Sequence, residues 1–447
     1  MSQRREILRL AVPAFLTLIA EPLFLLADSA IIGHLGTTSL AGLGVASAVL
    51  LTAAGIFVFL AYGTTAVVSR QVGAGSAKGA VEAGVDGTWL AIGLGAAVGL
   101  ITAAAAGPLC AWLGATGAVH EQAVTYLRIS AAGLPAMLVV LAATGVLRGL
   151  QDTRTPLVAA SLGFGANIVL NLALVHGLHL GIAGSAIGTI IAQWGMAVGL
   201  LAVLLRTAAA TGASLHPHPG RVLAAALGGF PLLVRTLALR AVLLLTVWVA
   251  AGLGDVPLAA YQVSSTIWSF LVFALDAIAI AAQALTGKAL GAGDKRAARE
   301  ATDVMLRWGI GSGIVLGALV LAVHPWLPAL FTPDPAVRAA IGAGLVIIAL
   351  GQPISGIAFV VDGVLMGAGD GRWLAWSMVG LLAAYVPIAL ALRAAAPTLL
   401  EGLDPADAAA VSVRWLWLAF TAFMALRAVV FWWRIRGDAW MVTGARR

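Results

Sequence analysis

The side chains with the clearest chemical potential are four polar residues inside apolar stretches of the first half of the chain. Glu21 and Asp28 are seven residues apart in the first stretch, and Asn167 and Asn171 are four apart in the fifth. On an α-helix the members of each pair share one face, and the two acids lie about 10 Å apart along the axis. If the two helices pack together, we expect a polar pocket holding a poorly hydrated carboxylate. The protonation of such a group can respond to a proton gradient.

Asp28 is therefore predicted to bind a transported proton, with Glu21, Asn167 and Asn171 completing its site. The alternative interpretation is that these groups only hold helices together, because asparagine hydrogen bonds are a common packing device in membranes. Pro22 lies between the two acids. A proline inside a helix removes a backbone hydrogen bond and allows a kink, so Pro22 is the predicted place for helix bending.

The second half carries its own ionisable residues at membrane depth. We predict that Arg240 pairs with Asp276, and that Asp362 lies toward the inner end of the tenth apolar stretch. Charged groups in a bilayer are costly and usually face the protein interior, where they pair with one another. Arg240, Asp276 and Asp362 thus form a possible second polar site, for which an ion-pair role is favoured over substrate contact.

The composition requires lipid around these elements. The chain has 447 residues, of which 61% are hydrophobic and 10% charged, with a mean hydropathy of +1.01. A soluble domain has roughly a quarter of its residues charged. Twelve apolar stretches of about 20 residues or more suit membrane-spanning helices and not the short alternating strands of a barrel. We predict an all-α polytopic membrane protein with the lipid bilayer as its partner.

The chain is a duplicated unit. Pro13 matches Pro231, Gly73-Ala74-Gly75 matches Gly291-Ala292-Gly293, and Asp152 matches Asp370, all at one offset of 218 residues. We predict two six-helix bundles related by a pseudo-twofold axis along the membrane normal. Their predicted bounds are 1–206 for the N-terminal lobe, 207–222 for a cytoplasmic linker and 223–447 for the C-terminal lobe.

The duplication also separates shared features from unique ones. Polar groups that only one copy carries at membrane depth are candidates for function. At the 218-residue offset, Thr246 stands where the first copy has Asp28, and Tyr385 stands where it has Asn167. The ionisable site is therefore predicted in only one lobe.

Charges and motifs narrow the class of protein further. Most Lys and Arg residues fall on one side, which places both termini in the cytoplasm of a cell with the protein in its inner (plasma) membrane. His216 and His218 alternate with prolines, and we interpret this stretch as a plain linker, not a metal site. The pI of about 10.3 reflects dispersed charges and does not favour nucleic-acid binding. Cys110 is the only cysteine, and no enzyme or metal motif is present, so neither an enzyme nor a cofactor is expected.

Three segments resemble a known family. Residues 22–36 are similar to the first-helix signature of multidrug and toxic compound extrusion (MATE) transporters of the DinF branch. Residues 281–294 resemble the family's eighth-helix-to-loop motif, and residues 362–370 its tenth-helix end. The resemblance implies twelve helices in two lobes and export of organic cations driven by H⁺ or Na⁺. It also implies that Asp28 binds the coupling ion and that protonation bends the first helix at Pro22.

One departure from the family pattern bears on the coupling ion. The family's fifth-helix pattern often ends in Asp, whereas residues 167–171 end in Asn171. Fewer carboxylates favour H⁺ over Na⁺, although Glu21 can compensate. We therefore predict H⁺ antiport of cationic or amphiphilic drugs by a monomer. The alternatives are a Na⁺-coupled antiporter, a flippase for lipid-linked oligosaccharides, a carrier of the major facilitator class, and a membrane enzyme or receptor.

Overall fold

Twelve long helices follow one another along the part of the chain that the structure describes. The computed structural model describes residues 3–445, except the side chains at positions 3, 4, 21 and 24–26. No strand occurs among these residues. The helices are α1 (Gln3–Gly33), α2 (Thr37–Gly73), α3 (Ala77–Ala104), α4 (Gly117–Gly149), α5 (Arg154–Gly177), α6 (Gly181–Thr211), α7 (Pro219–Gly252), α8 (Asp255–Gly291), α9 (Lys295–Val323), α10 (Pro335–Gly367), α11 (Gly371–Leu399) and α12 (Pro405–Arg436).

Length and apolar composition explain why these segments are helical. The eleven helices α2 to α12 have 24 to 37 residues each and are apolar enough to cross a membrane. At 1.5 Å per residue even 24 residues exceed the roughly 30 Å of a hydrocarbon core. A helix pairs all its backbone groups internally, as lipid requires. With α1 they make the twelve membrane helices of an all-α polytopic protein, as predicted.

The duplicated Gly-Ala-Gly segments form the same turn in both copies. Gly75 and Gly293 have φ angles of +76° and +80°, a left-handed conformation that favours glycine. The residue after each glycine caps the next helix: Ser76 accepts a hydrogen bond from the Gly79 amide, and Asp294 accepts one from the Ala297 amide. The repeated motif therefore serves to end one membrane helix and start another.

The first compact unit, unit 1, contains the chain up to Leu233, together with Gly287–Gly293 and the residues from Thr443 onward. A buried core at one end of this unit includes Ile32, Leu43, Tyr126 and Ile182. The two late segments contact each other, because the Gly444 amide donates to the Leu290 carbonyl at 3.0 Å. The last segment also contacts the first part of unit 1, where Arg70 Nε donates to the Gly444 carbonyl at 3.2 Å.

The segment that leads from α6 to α7 is bound to α3 within unit 1. Only residues 212–218 of the predicted linker are non-helical. Arg221 forms ion pairs with Glu82 and Asp86, both at 2.9 Å. The Trp89 indole donates to the Leu215 carbonyl at 3.1 Å. We call this set of contacts the α3 clasp.

The second compact unit, unit 2, contains Val234–Thr286 and Asp294–Val442. Its interior is rich in aromatic rings, with Trp417 buried against Tyr261 and Phe420. The Trp417 indole donates to the Ser264 hydroxyl at 3.0 Å, so the buried N–H has a partner.

Candidate functional site

Asp28 lies on α1, five residues before the end of that helix at Gly33, and is 3% exposed. Its carboxylate is surrounded by side chains from three other helices of unit 1. These are Tyr126 of α4, Asn171 of α5 and Ser185 of α6, all of them buried. We call this set, together with Asn167, the Asp28 pocket.

Every polar group that contacts Asp28 in the described part of unit 1 is a neutral hydrogen-bond donor. The Asp28 Oδ1 atom accepts from Asn171 Nδ2 at 2.6 Å and from Ser185 Oγ at 2.8 Å. The Oδ2 atom accepts a longer bond from the Tyr126 hydroxyl at 3.5 Å. Donors of this kind stabilise an ionised carboxylate without neutralising its charge. The pocket therefore holds a net negative charge whenever Asp28 is ionised.

The two asparagines extend this network. Asn171 Nδ2 also lies 3.0 Å from Asn167 Oδ1, and Asn167 Nδ2 donates to the Thr189 hydroxyl at 3.0 Å. The amide oxygen of Asn171 is buried and accepts no hydrogen bond from the described residues. It is thus an acceptor within reach of a group that gains a proton.

Gly188 of α6 allows this close packing. A Cβ atom at position 188 would collide with the Asn171 amide oxygen. A larger residue would displace the Asn171 side chain and so move its amide group relative to Asp28. A six-residue π-helical turn, Leu172–Gly177, follows Asn171 directly. Such widened turns often occur at functional sites.

The structure brings together three of the residues predicted from the sequence, namely Asp28, Asn167 and Asn171. Pro22 is half-buried and lies within α1, six residues before Asp28. The side chain of Glu21 lies outside the described residues. Sequence reasoning missed Ser185 and Tyr126, because single hydroxyl groups are frequent in membrane helices and carry no distinguishing pattern.

The positions of unit 2 that correspond to Asp28 and Asn167 are neutral. Thr246 and Tyr385 lie at those positions, 218 residues later, and their hydroxyl oxygens are 2.9 Å apart. Both side chains are buried. In unit 1 the corresponding residues Asp28 and Asn167 each accept a hydrogen bond from Asn171 Nδ2. Of these two pairs of positions, only the pair in unit 1 carries a carboxylate.

The carboxylate of unit 2 has a different environment. Asp362 of α10 is 1% exposed and contacts two guanidinium groups. Its Oδ1 atom accepts from Arg235 Nε at 3.0 Å, and its Oδ2 atom accepts from Arg427 Nη2 at 2.5 Å. Arg427 also lies over the ring of Phe359, 5.1 Å from its centroid. We call Asp362, Arg235 and Arg427 the Asp362 cluster.

The predicted pair of Arg240 and Asp276 is not found among the described residues. Arg240 is exposed, and Asp276 is half-buried. Arg235 and Arg240 are five residues apart, which turns them by about 140° around the axis of α7. Of these two arginines, Arg235 is the one that contacts Asp362. Arg427, which the sequence reasoning overlooked, is an ionisable residue inside the last membrane helix and was detectable by that criterion.

Comparisons with known proteins agree with this architecture. The MatE family model matches residues 13–173 and 231–394 of the chain. Protein DETOXIFICATION 44, chloroplastic, of Arabidopsis thaliana is 31% identical over 442 residues, covering 96% of this chain and 82% of the relative. DNA damage-inducible protein F of Escherichia coli (strain K12) is 30% identical over 445 residues, covering 96% of this chain and 91% of the relative.

A solved structure shows the same fold. A crystal structure of MATE in the bent conformation superposes with a TM-score of 0.86 at 21% identity, covering 98% of this chain and 96% of that one. The twelve helices, the two matched family segments and this superposition define a polytopic membrane transporter. The chain belongs to the MATE family of multidrug and toxic compound efflux transporters, and its similarity to DNA damage-inducible protein F supports the DinF branch.

Proposed function

We propose that this chain exports cationic or amphiphilic organic compounds by H⁺ antiport, with Asp28 as the proton-binding group. The observation that carries the proposal is the neutral environment of Asp28. Among the described residues no cation contacts its carboxylate, so ionised Asp28 leaves a negative charge in an apolar unit. Either a proton or an organic cation can compensate that charge, and the two therefore compete.

Protonation of Asp28 requires its hydrogen bonds to be rearranged. The ionised carboxylate accepts from Asn171, Ser185 and Tyr126, whereas a protonated one must also donate. The Asn171 amide can rotate to present its oxygen, which is free of donors among the described residues. Because the partners sit on α4, α5 and α6, this exchange changes contacts among four helices, and we propose that α1 bends at Pro22 in response. The energy for this cycle comes from the proton gradient, because a membrane potential of 100 mV supplies roughly 2.3 kcal/mol for each charge that crosses the membrane.

The same pocket supports H⁺ over Na⁺ as the coupling ion. Sodium requires several oxygen ligands and benefits from more than one negative charge. Among the described side chains of the Asp28 pocket, Asp28 is the only carboxylate, and position 171 carries an amide. The flippase alternative needs accessible basic groups, whereas Arg235 and Arg427 are buried against Asp362. No further cofactor is part of the proposal, and we expect both termini to be cytoplasmic and the protein to reside in the plasma membrane.

The test is drug-dependent proton movement in proteoliposomes. Purified protein is reconstituted, ethidium is added, and internal pH is recorded with and without Na⁺. Wild-type protein should move protons without Na⁺, and Asp28→Asn should reduce ethidium export and proton movement to the level of protein-free vesicles. Thr246→Val, at the corresponding position of unit 2, is the matched control and should retain both activities. Normal export by folded Asp28→Asn protein contradicts the proposal.

A second variant separates the two coupling ions. Asn171→Asp adds a carboxylate beside Asp28, which should introduce a dependence of ethidium export on Na⁺. Export by the wild-type protein that already needs Na⁺ and ignores the pH gradient would instead support the sodium alternative.

A further inference from the structure

A second feature of unit 1 lies at the end where α1 stops and α4 and α6 begin. An open cavity of about 370 Å³ occurs there. Its wall is contributed by α2, α4, the start of α6 and the turns beside them. The polar and apolar lining residues include Leu35, Ser39, Gln122, Thr125, His179 and Ile182.

The cavity and the Asp28 pocket are stacked along the same helices. On α6, Ile182 lines the cavity, and Ser185, three residues on, bonds Asp28. On α4, Thr125 lines the cavity, and the adjacent Tyr126 donates to Asp28. Three residues of α-helix rise about 4.5 Å, so only about one helical turn separates the cavity from the carboxylate.

A thin apolar layer fills that turn. Ile32 lies four residues beyond Asp28 toward the cavity and is fully buried. It belongs to one hydrophobic cluster with Val175 and Ile182, which are also buried. An apolar layer of this thickness excludes water. If its side chains moved apart, the cavity would connect directly to Asp28.

The chain that closes the cavity has special backbone geometry. His179, in the turn between α5 and α6, has a φ of +54°, which is uncommon for a residue with a side chain. The turn follows the π-helical segment that begins one residue after Asn171. The cavity wall and the Asp28 pocket are therefore linked through α5 as well.

We propose that this cavity is the port through which the coupling proton reaches Asp28 from one side of the membrane, and that Ile32 and Ile182 are its gate. The proposal rests on the proposed function, because it needs Asp28 to be the proton-binding group. By the predicted topology this end of unit 1 faces the outside, where protons enter. The structure has the gate closed, since both isoleucines are buried.

The test measures proton leak in proteoliposomes without drug. Ile182→Ala removes most of the gate side chain, so Asp28 stays open to the port at all times. When Asp28 is also accessible from the other side of the membrane, protons can cross without drug. We expect drug-independent proton flux to rise at least about fivefold over wild type. Ile182→Thr, which keeps the branched shape but adds a hydroxyl, should also leak and covers the case in which the alanine variant fails to fold. Adding Asp28→Asn should abolish the leak.

Blocking the port tests the route itself. In a Cys110→Ala background, Ile182→Ala is combined with Ser39→Cys, whose side chain lines the cavity, or with Thr38→Cys, which is exposed but outside the lining. A bulky membrane-impermeant thiol reagent should suppress the leak of the Ser39→Cys protein and leave that of the Thr38→Cys protein within about twofold. A leak that is absent in both gate variants, or that persists after Ser39→Cys is labelled, overturns the port. Ethidium export by Asp28→Asn protein would instead overturn the proposed function.

Discussion

The Asp28 pocket and the Asp362 cluster are two solutions to the same physical problem. Each buries a carboxylate among membrane helices, which is costly unless the charge is compensated. Asp362 is held by two arginines, whereas Asp28 receives only hydrogen bonds from neutral side chains in the described part of unit 1. A carboxylate locked between cations has little freedom to exchange protons, but one with neutral partners can do so. The comparison teaches that the charge of the partners, more than burial, separates an anchor from a coupling group.

The largest effect on folding should follow from breaking the Asp362 cluster. Arg427→Met removes a fully buried guanidinium and disrupts the compensation of Asp362, so we expect a loss of about 3–5 kcal/mol in unfolding free energy. Thermal unfolding in detergent measures it. The triple variant Arg235→Met, Asp362→Leu, Arg427→Met should recover most of the loss, and Asp28→Asn should change the stability by no more than about 1 kcal/mol. Equal losses in Arg427→Met and Asp28→Asn would erase the distinction between the two sites.

A smaller effect, on transport, is expected at Gly188. Gly188→Ala places a methyl group against the Asn171 amide oxygen and shifts the donor nearest to Asp28. We expect ethidium export to fall about tenfold, equivalent to about 1.4 kcal/mol. Gly195→Ala, on the same helix with open space around it, is the control and should export at the wild-type rate. Unchanged export in both variants argues that the position of Asn171 does not matter for coupling.

Tyr126 should matter less than Asn171 because its hydrogen bond to Asp28 is long. Tyr126→Phe keeps the ring and removes the hydroxyl that lies 3.5 Å from Asp28. A weak hydrogen bond contributes about 0.5 kcal/mol, so export should fall no more than about threefold. Initial rates of ethidium export over a range of external pH provide the measurement. A complete loss of export would make Tyr126 a member of the proton path.

The smallest effect on transport is expected at the neutral counterpart of the site. Thr246→Val removes the hydroxyl that lies 2.9 Å from the Tyr385 hydroxyl. The expected cost is about 1 kcal/mol of unfolding free energy, with an unchanged ratio of protons to drug. Proton and ethidium fluxes recorded together give this ratio. A changed ratio would mean that unit 2 shares in the coupling.

A residue can be assigned to a site from the sequence when its type and spacing restrict what can surround it. Asp28, Asn167 and Asn171 were predictable because polar groups spaced at helical intervals in apolar stretches must share a face and find one another. Ser185 was not, since a hydroxyl can satisfy itself on its own helix and gives no sign of a longer contact. The pairing of Arg240 with Asp276 stays a prediction, because hydropathy identifies a membrane helix without indicating how that helix is rotated about its axis. The twelve helices, in contrast, were predictable because each apolar stretch is long enough to cross the bilayer, and a stretch that crosses lipid must pair its backbone groups internally.

The α3 clasp has a consequence for the tether between the two halves of the chain. A free run of Gly and Ser residues would act as a random coil whose reach grows with its length. Here Arg221 and Leu215 are fastened to α3, so the effective spacer is set by these attachment points and not by the number of residues in it. Inserted residues would therefore form a longer surface loop while the attachment to α3 is kept. Loss of the Arg221 side chain would instead release the segment from α3 and make it a flexible linker.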